Sequence, residues 1–172
     1  MKPRTRARAL ALQVLYEVDL AKPPPAEAFQ ARLEETPLPD NLSEFARQII
    51  FGVLPLTSSL DQLIAKYAPE WPLEQVAAID RNILRMAIWE FAIDRSTPLK
   101  VAINEAIELA KLYGSEESGA FVNGILDRVR ERFEEAAGEV RRALDVEVAV
   151  VLRRQAGHAR VDERDAQGLG EG

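Results

Sequence analysis

The chain has 172 residues and carries 28 acidic and 22 basic side chains, for a formal net charge of −6. Apolar residues make up 47% and charged residues 29%, which is typical of soluble globular proteins and excludes wholesale disorder. This length favours one compact domain with a modest extension. An acidic protein repels nucleic acid and anionic lipid unless its basic groups are clustered, so the distribution of charge matters more than the sum.

Several classes of chemistry are excluded by residues that the sequence lacks. There is no cysteine, which removes disulfides, thiolate metal sites and cysteine nucleophiles. The only histidine, His158, lies near the C-terminus, so a hydrolytic triad in the core is excluded. Paired glutamates, as at positions 116–117, are typical of solvated helix surfaces. We therefore expect no enzymatic activity, no metal site and no cofactor.

The sequence also bears on where the protein works. No continuous apolar run approaches the length of a membrane span, and the basic N-terminus passes into an amphipathic pattern instead of a signal peptide. We therefore expect a cytoplasmic protein that has no membrane partner.

Prolines and apolar spacing divide the chain into predicted helices, and no segment alternates with a period of two, so an all-α fold is expected. The predicted helices cover, approximately and in chain order, residues 5–20, 26–35, 40–54, 58–67, 72–94, 98–113 and 115–129. The expected N-terminal caps of the third, fourth and last are Asp40 or Asn41, Ser58 or Ser59, and Ser115 or Ser118. Gly114 is expected to end the sixth helix at a C′ position. The helix over 72–94 is expected to be the most buried.

A change of composition marks the C-terminal end. No proline follows Pro98, and five of the nine glycines fall from Gly138 onward. We predict a helical domain over residues 1–135 and a C-terminal extension over 136–172 that is partly helical and then disordered.

The first eight residues, MKPRTRAR, carry four positive charges and no acid. Basic groups at a helix start oppose the helix dipole, which suggests a compensating contact. If the arm neutralised four phosphates of single-stranded RNA, log affinity would fall with log salt at a slope of about −2.8. The alternative is a terminus that only improves solubility. Tyr16, further along the same helix, would stack on a base if exposed, or pack in the core if buried.

Three ordered blocks of the sequence closely resemble the NusB family of bacterial transcription antitermination factors. They are RTRARALALQVLYEVDL at 4–20, DRNILRMAIWEFAID at 80–94, and PLKVAINEAIELAKLYGSEESGAFVNGILDRV at 98–129. The resemblance implies an all-α fold of about seven helices in two small three-helix-bundle-like subdomains. It also implies a non-enzymatic role: binding the boxA sequence of nascent ribosomal RNA together with a small-subunit ribosomal protein, NusE. With further antitermination factors, such a complex modifies elongation by RNA polymerase.

The resemblance also assigns roles to individual residues. RNA-binding positions would be Lys2, Arg4, Arg6, Arg8, Tyr16 and Asn123, and partner-binding positions would be Glu117 and Phe121. Asn123 has the alternative of capping the turn. Asn104 and Glu105, within the INEA motif, are expected to fix helix contacts by hydrogen bonds. Ala120 departs from the family, which often has a basic residue there, so one phosphate contact is expected to be missing.

Two alternative functions were weighed against this one. A helical adaptor that binds protein without RNA is favoured slightly by the net charge and opposed by the arginine arm. The same fold occurs as the RNA-binding part of ribosomal RNA cytosine methyltransferases, but that reaction requires a cysteine nucleophile and a cofactor domain. The chain has no cysteine and too few further residues for such a domain.

Overall fold

The structure is a computed structural model that describes residues 1–70, 72–132, 138, 141–150 and 153–154. Seven α-helices occupy its residues 3–131: α1 (Pro3–Ala21), α2 (Pro25–Glu35), α3 (Asp40–Val53), α4 (Thr57–Tyr67), α5 (Ala78–Ile88), α6 (Leu99–Tyr113) and α7 (Ser118–Glu131). No strand occurs within the described ranges. The predicted all-α class is therefore confirmed.

The helices form two small bundles that share one core. Helix α1 packs against α2 and α3, whereas α5, α6 and α7 pack against one another with α4 at their side. Helix α1 also lies along α5, so it belongs to both bundles. Side chains from every helix, such as Leu12, Ile50, Leu84 and Leu126, join one continuous hydrophobic cluster. Burial of this shared apolar surface is the main force that holds the two bundles together.

Prolines, rather than polar caps, begin several helices. Helix α3 begins at Asp40 itself, after Pro39, and α6 follows Pro98; neither has a side-chain capping bond. Because proline already holds φ near the helical value, the chain enters the helix without a cap. The predicted caps at Asp40 and Asn41 are therefore both wrong, because the residue before α3 is Pro39. So are those at Ser58 and Ser59, because α4 begins at Thr57, directly after a 3₁₀ turn.

The turn between α6 and α7 differs in detail from the prediction. Gly114 does end α6, but its φ of −91° is not left-handed. Close packing requires a glycine at this position, because a Cβ on residue 114 would overlap the Ser118 hydroxyl. That hydroxyl accepts a hydrogen bond from the Ser115 backbone N–H at 2.8 Å. Neither serine is the residue before α7, which is Glu117, so the two hydroxyls hold the turn and do not cap the helix.

The predicted central helix is shorter and ends in an unusual turn. A 3₁₀ turn at Leu73–Gln75 precedes α5, and after Ile88 the chain continues as a π-helical segment, Trp89–Asp94. The π-helical segment brings Glu90 into the interior, where it is 2% exposed. It also packs the Trp89 indole against Gly52 of α3, so closely that a Cβ on Gly52 would overlap the ring.

The helical run Asp40–Tyr67 is long and apolar enough, by length and composition, to cross a membrane. Polar residues interrupt its apolar ones, so the sequence shows no continuous apolar run there. Several of its large apolar side chains, including Ile49, Ile50, Leu60 and Ile64, are fully buried in the core, whereas Phe51 is 38% exposed. This is the pattern of a core helix in a folded domain.

Part of the C-terminal extension is described. Residues 141–150 are helical. Leu144 packs against the core, and the Ser59 hydroxyl donates a hydrogen bond to Glu147 Oε1 at 2.9 Å. The predicted disordered end and His158 lie outside the described residues. The domain boundary near residue 135 stays a prediction.

Candidate nucleic-acid interface

The third arginine of the arm points into the protein. Arg8 is 3% exposed. Its Nε lies 3.1 and 3.0 Å from the two carboxylate oxygens of Glu90, and its Nη2 lies 2.8 Å from Glu90 Oε1. Thr97 donates a further hydrogen bond to Glu90 at 3.1 Å. The expected phosphate contact of Arg8 is therefore corrected: the guanidinium is satisfied internally and has no access to solvent.

A signal for this burial was present in the sequence. Arg8 stands four and seven residues before Leu12 and Leu15, both of which lie in the core. Residues at this spacing share one face of a helix. The apolar spacing of α1, extended toward the N-terminus, therefore includes position 8 and places Arg8 on the buried face of the helix.

The start of α1 is also tied to α6. The Thr5 hydroxyl donates to Glu105 Oε2 at 2.8 Å, and Arg8 Nη1 lies 3.6 Å from the same oxygen. The predicted structural role of Glu105 is therefore confirmed. Asn104 does not have the structural role that was expected for it, because its side chain is exposed and forms no hydrogen bond within the described residues.

A mostly polar stripe runs along the solvent-facing side of α1. Its members are spaced by three, four or seven residues: Lys2, Arg6, Gln13, Tyr16 and Leu20. Lys2 and Arg6 are exposed, and Tyr16 is 37% exposed. Arg6 and Tyr16 lie about 15 Å apart along the helix axis, at about 1.5 Å per residue. The stripe therefore presents two cations and one aromatic ring on one accessible surface.

Arg4 lies on another side of α1. Two residues apart on an α-helix are rotated by about 200°, so Arg4 and Arg6 face nearly opposite directions. The Arg4 guanidinium carbon lies 4.9 Å from the centre of the Phe45 ring in α3, and that of Arg8 lies 5.0 Å from the same ring. This cation–π contact directs Arg4 toward α3 and away from the stripe.

The other end of α1 is held by a polar network. Asp19 accepts hydrogen bonds from Arg81 at 2.6 Å and from Asn82 at 3.1 Å, and lies 3.5 Å from Arg85. Burial by itself raises the pKa of Asp19, but the Arg81 hydrogen bond and the charges of both arginines outweigh it and hold that pKa below its usual value. Asp19 is therefore ionised at neutral pH and fixes α1 to α5.

The turn between α6 and α7 lies at this same end. Asp80, next to Arg81 at the start of α5, accepts a hydrogen bond from Ser118. Asp80 is 7% exposed, and within the described chain nothing donates to its Oδ1. Burial raises the pKa of Asp80, and the Ser118 hydrogen bond only partly opposes this. The carboxyl thus links the turn to α5 at an energetic cost.

The three residues expected at the partner and RNA junction occupy this turn and the start of α7. Glu117 and Asn123 are exposed, and Phe121 is half-buried against the core. Glu117 accepts a hydrogen bond from the Ser115 hydroxyl at 3.2 Å. Asn123 lies within α7, so it does not cap the turn. Through Asp80 and Arg81, this segment lies at the end of the molecule where α1 carries Asp19.

The site is suited to binding rather than to metal chemistry. Among the residues that the structure describes, no three histidine, cysteine, aspartate or glutamate side chains are grouped so that they would hold a metal ion. What the surface offers is two separated cations, an aromatic face and a polar turn. Cations neutralise phosphates, and exposed aromatic rings stack on unpaired bases.

Comparison with known proteins gives matches over most of the chain. The model of the NusB family matches residues 5–131. A transcription antitermination protein NusB from Roseiflexus castenholzii is 46% identical over 134 residues, which cover 77% of this chain and 94% of the relative. The corresponding protein of Heliobacterium modesticaldum is 41% identical over 151 residues, covering 88% and 73%.

Solved structures share the fold. NusB of T. maritima has a TM-score of 0.69 at 37% identity, covering 77% of this chain and 98% of that one. A crystal structure of the antitermination factors NusB and NusE in complex with double-stranded RNA contains a chain with a TM-score of 0.70 at 27% identity. That match covers 77% of this chain and 98% of the other.

Proposed function

The chain belongs to the NusB family, and we propose that it is a transcription antitermination factor that binds boxA RNA together with the small-subunit ribosomal protein NusE. The family model matches residues 5–131. Relatives at 41% and 46% identity are named transcription antitermination proteins. A structural neighbour is a NusB bound to NusE and RNA. In this role the complex modifies elongation by RNA polymerase in the bacterial cytoplasm, and the protein itself catalyses no reaction.

The observation that carries the RNA-binding part is the exposed stripe on α1. Lys2 and Arg6 stand on the same accessible face as the half-exposed Tyr16 ring. This arrangement supplies phosphate neutralisation at one end and base stacking at the other. The overall charge of −6 opposes nonspecific binding, so the basic stripe is the surface at which an RNA is attracted.

Fewer residues of α1 contact RNA in this proposal than the sequence suggested. Arg8 is engaged by Glu90, and Arg4 faces Phe45, so Lys2, Arg6 and Tyr16 form the RNA face of α1. Two cations give only a weak electrostatic attraction, so we expect low affinity for RNA in the absence of a partner. A partner that binds both protein and RNA raises the effective concentration of each for the other.

We further propose that the segment from Glu117 to Asn123 meets the protein partner and the adjoining RNA. Its exposed polar residues and the half-buried Phe121 ring combine an apolar anchor with a polar rim, as protein interfaces do. The position of this segment, at the Asp19 end of α1, supports a continuous surface that begins at the stripe and ends at the turn.

The experiment is a titration of fluorescent boxA RNA with the full chain, with and without equimolar NusE, and with a scrambled RNA as control. Fluorescence anisotropy should show tighter binding of boxA than of the scrambled RNA, and a clear gain in affinity when NusE is present. Equal weak binding of both RNAs with no effect of NusE would refute the proposal. Binding of NusE without any RNA effect would establish the protein-only adaptor instead.

A further inference from the structure

Helices α1 and α5 run in opposite directions. Near the start of α1, Arg8 pairs with Glu90, which follows the end of α5. Near the end of α1, Asp19 pairs with Arg81 in the first turn of α5. The start of α1 therefore lies at the end of the molecule where α5 ends.

Helix α6 is also antiparallel to α5. It begins at Leu99, soon after the π-helical segment that continues α5. It ends at Tyr113, and the Ser118 hydroxyl beyond it donates to Asp80 in the first turn of α5. Helices α1 and α6 therefore run in the same direction, and both begin at the same end of the molecule.

Each of these two helices has a lysine at its start. The hydrogen bond between Thr5 and Glu105 joins α1 to α6 at one level. Lys2 precedes Thr5 by three residues and Lys100 precedes Glu105 by five, so both lysines lie about 5–8 Å before that level. A cleft of about 400 Å³ opens there, and Lys2 and Asn104 line it. Because Lys100 stands one helical turn before Asn104, it adjoins the same cleft.

The charge at this end of the cleft is positive. Lys2 and Lys100 are exposed, and neither side chain forms an ion pair within the part of the chain that the structure describes. Glu105 is already engaged, since Arg8 Nη1 lies 3.6 Å from its carboxylate. The other carboxylate of the cleft, Glu108, lies about 12 Å beyond Lys100 along α6, a distance at which exposed charges are largely screened. An anion is therefore attracted to the lysine end of the cleft.

We propose that Lys100 contacts a backbone phosphate of the bound RNA, so that the strand passes from the stripe on α1 across the cleft to the start of α6. This inference rests on the proposed RNA-binding function and adds a third phosphate contact to those of Lys2 and Arg6. Lys2 belongs to both the stripe and the cleft, and this continuity favours RNA over an acidic peptide. A lysine ammonium acts as a point charge, so the contact carries no base specificity.

The test measures binding of fluorescent boxA RNA to the full chain by anisotropy, over a salt series from about 50 to 200 mM. Lys100→Gln should flatten the slope of log affinity against log salt by about 0.7, so that wild-type affinity falls about 2.6-fold more than that of the variant over this range. It should weaken boxA and scrambled RNA by the same factor, because phosphate contacts are independent of sequence.

Two further variants serve as controls. Lys100→Arg keeps the charge and should keep the wild-type slope. Lys66→Gln removes an exposed lysine from α4 and should leave the slope unchanged. Circular dichroism melts confirm that each variant is folded.

The outcomes separate this inference from the proposed function. If wild-type protein binds neither RNA, both are overturned. If RNA binds but Lys100→Gln leaves the slope unchanged, only the Lys100 contact is overturned. If Lys100→Gln weakens boxA alone, the lysine reads a base and the phosphate contact is overturned. If it weakens binding of NusE without RNA while the slope is unchanged, the lysine meets an acidic segment of the protein partner, and the RNA path is again overturned.

Discussion

Arg8 and Glu90, which are 82 positions apart in the chain, form a bidentate ion pair inside the protein. Both side chains are almost completely buried, with 4% and 3% of their surface exposed. Breaking such a pair is costly because the remaining charge stays buried without its counterion. The arm of basic residues is thus also a structural element, and the pair leads to the first prediction.

Arg8→Ala is expected to lower the free energy of unfolding by about 3–5 kcal/mol, since Glu90 would be left unpaired. Chemical denaturation followed by circular dichroism measures this loss. The double variant Arg8→Met with Glu90→Met should recover much of it, because apolar residues of similar volume replace buried pairs with little loss. A single variant as stable as wild type would contradict the buried pair.

The double variant Lys2→Gln with Arg6→Gln is expected to flatten the salt dependence of boxA binding. Each lost phosphate contact changes the slope of log affinity against log salt by about 0.7 for single-stranded RNA, so the two together change it by about 1.4. Arg4→Gln removes the same kind of charge from the same arm but on the face toward Phe45. An equal effect of Arg4→Gln would show that the RNA does not follow the stripe.

Tyr16→Ala is expected to weaken RNA binding by about 1–3 kcal/mol, the usual value of stacking one base on an aromatic ring. Tyr16→Phe keeps the ring and should bind nearly as wild type. Anisotropy titrations at one salt concentration compare the three proteins. If Tyr16→Phe were as weak as Tyr16→Ala, the hydroxyl and not the ring face would be the contact.

Gly52→Ala is expected to destabilise the fold by about 1–3 kcal/mol, because the added methyl group meets the Trp89 ring in a packed core. Gly124→Ala is the matched control. A Cβ there meets nothing within 4 Å, and alanine is the better helix former by about 1 kcal/mol. Thermal melts should therefore move in opposite directions for the two variants. Equal shifts would contradict the close contact of Gly52 with Trp89.

Asp80→Asn is expected to change how stability depends on pH. The folded-state pKa of Asp80 is raised by burial, so the wild type loses stability as the pH rises from the ordinary carboxyl pKa through this raised value. The asparagine side chain does not ionise, so the variant does not lose stability in this way. Its unfolding free energy relative to wild type should increase as the pH rises from the ordinary carboxyl pKa through that raised value.

Asp19→Asn is expected to change the pH dependence of stability in the opposite direction. The pKa of Asp19 is lowered by its arginine partners, so its contribution to stability is present at neutral pH and is lost as the pH falls through that lowered value. The variant should be less stable than wild type at pH 7, and the difference should shrink in acid. Parallel pH profiles for the two variants would contradict the environments described for these carboxyls.

Most of the fold was predictable because its helix signals are local. Prolines and apolar periodicity locate a helix whatever the rest of the chain does, and they placed all seven helices. The predicted caps of the third and fourth helices failed for local reasons as well, since α3 begins directly after Pro39 and α4 directly after a 3₁₀ turn. The π-helical segment at Trp89–Asp94 was not predictable, because it is held by tertiary contacts of Glu90 and Trp89.

The site was predictable in its residue types but not in its geometry. A cluster of four cations indicates nucleic-acid binding, and Lys2 and Arg6 do face solvent on the same side of α1 as Tyr16. The sequence does not say which cation has a buried partner, because Glu90 is far along the chain.

The link between α1 and the second bundle also constrains how the protein forms during translation. The basic helix leaves the ribosome well before its partners Glu90 and Glu105, which follow it in the chain. Long-range contacts of this kind form only after the intervening chain has been made and its loop closed. A nascent chain that ends before Glu105 therefore has the cationic helix but not its anchors, and the binding stripe takes its final orientation only after most of the helical domain has been synthesised.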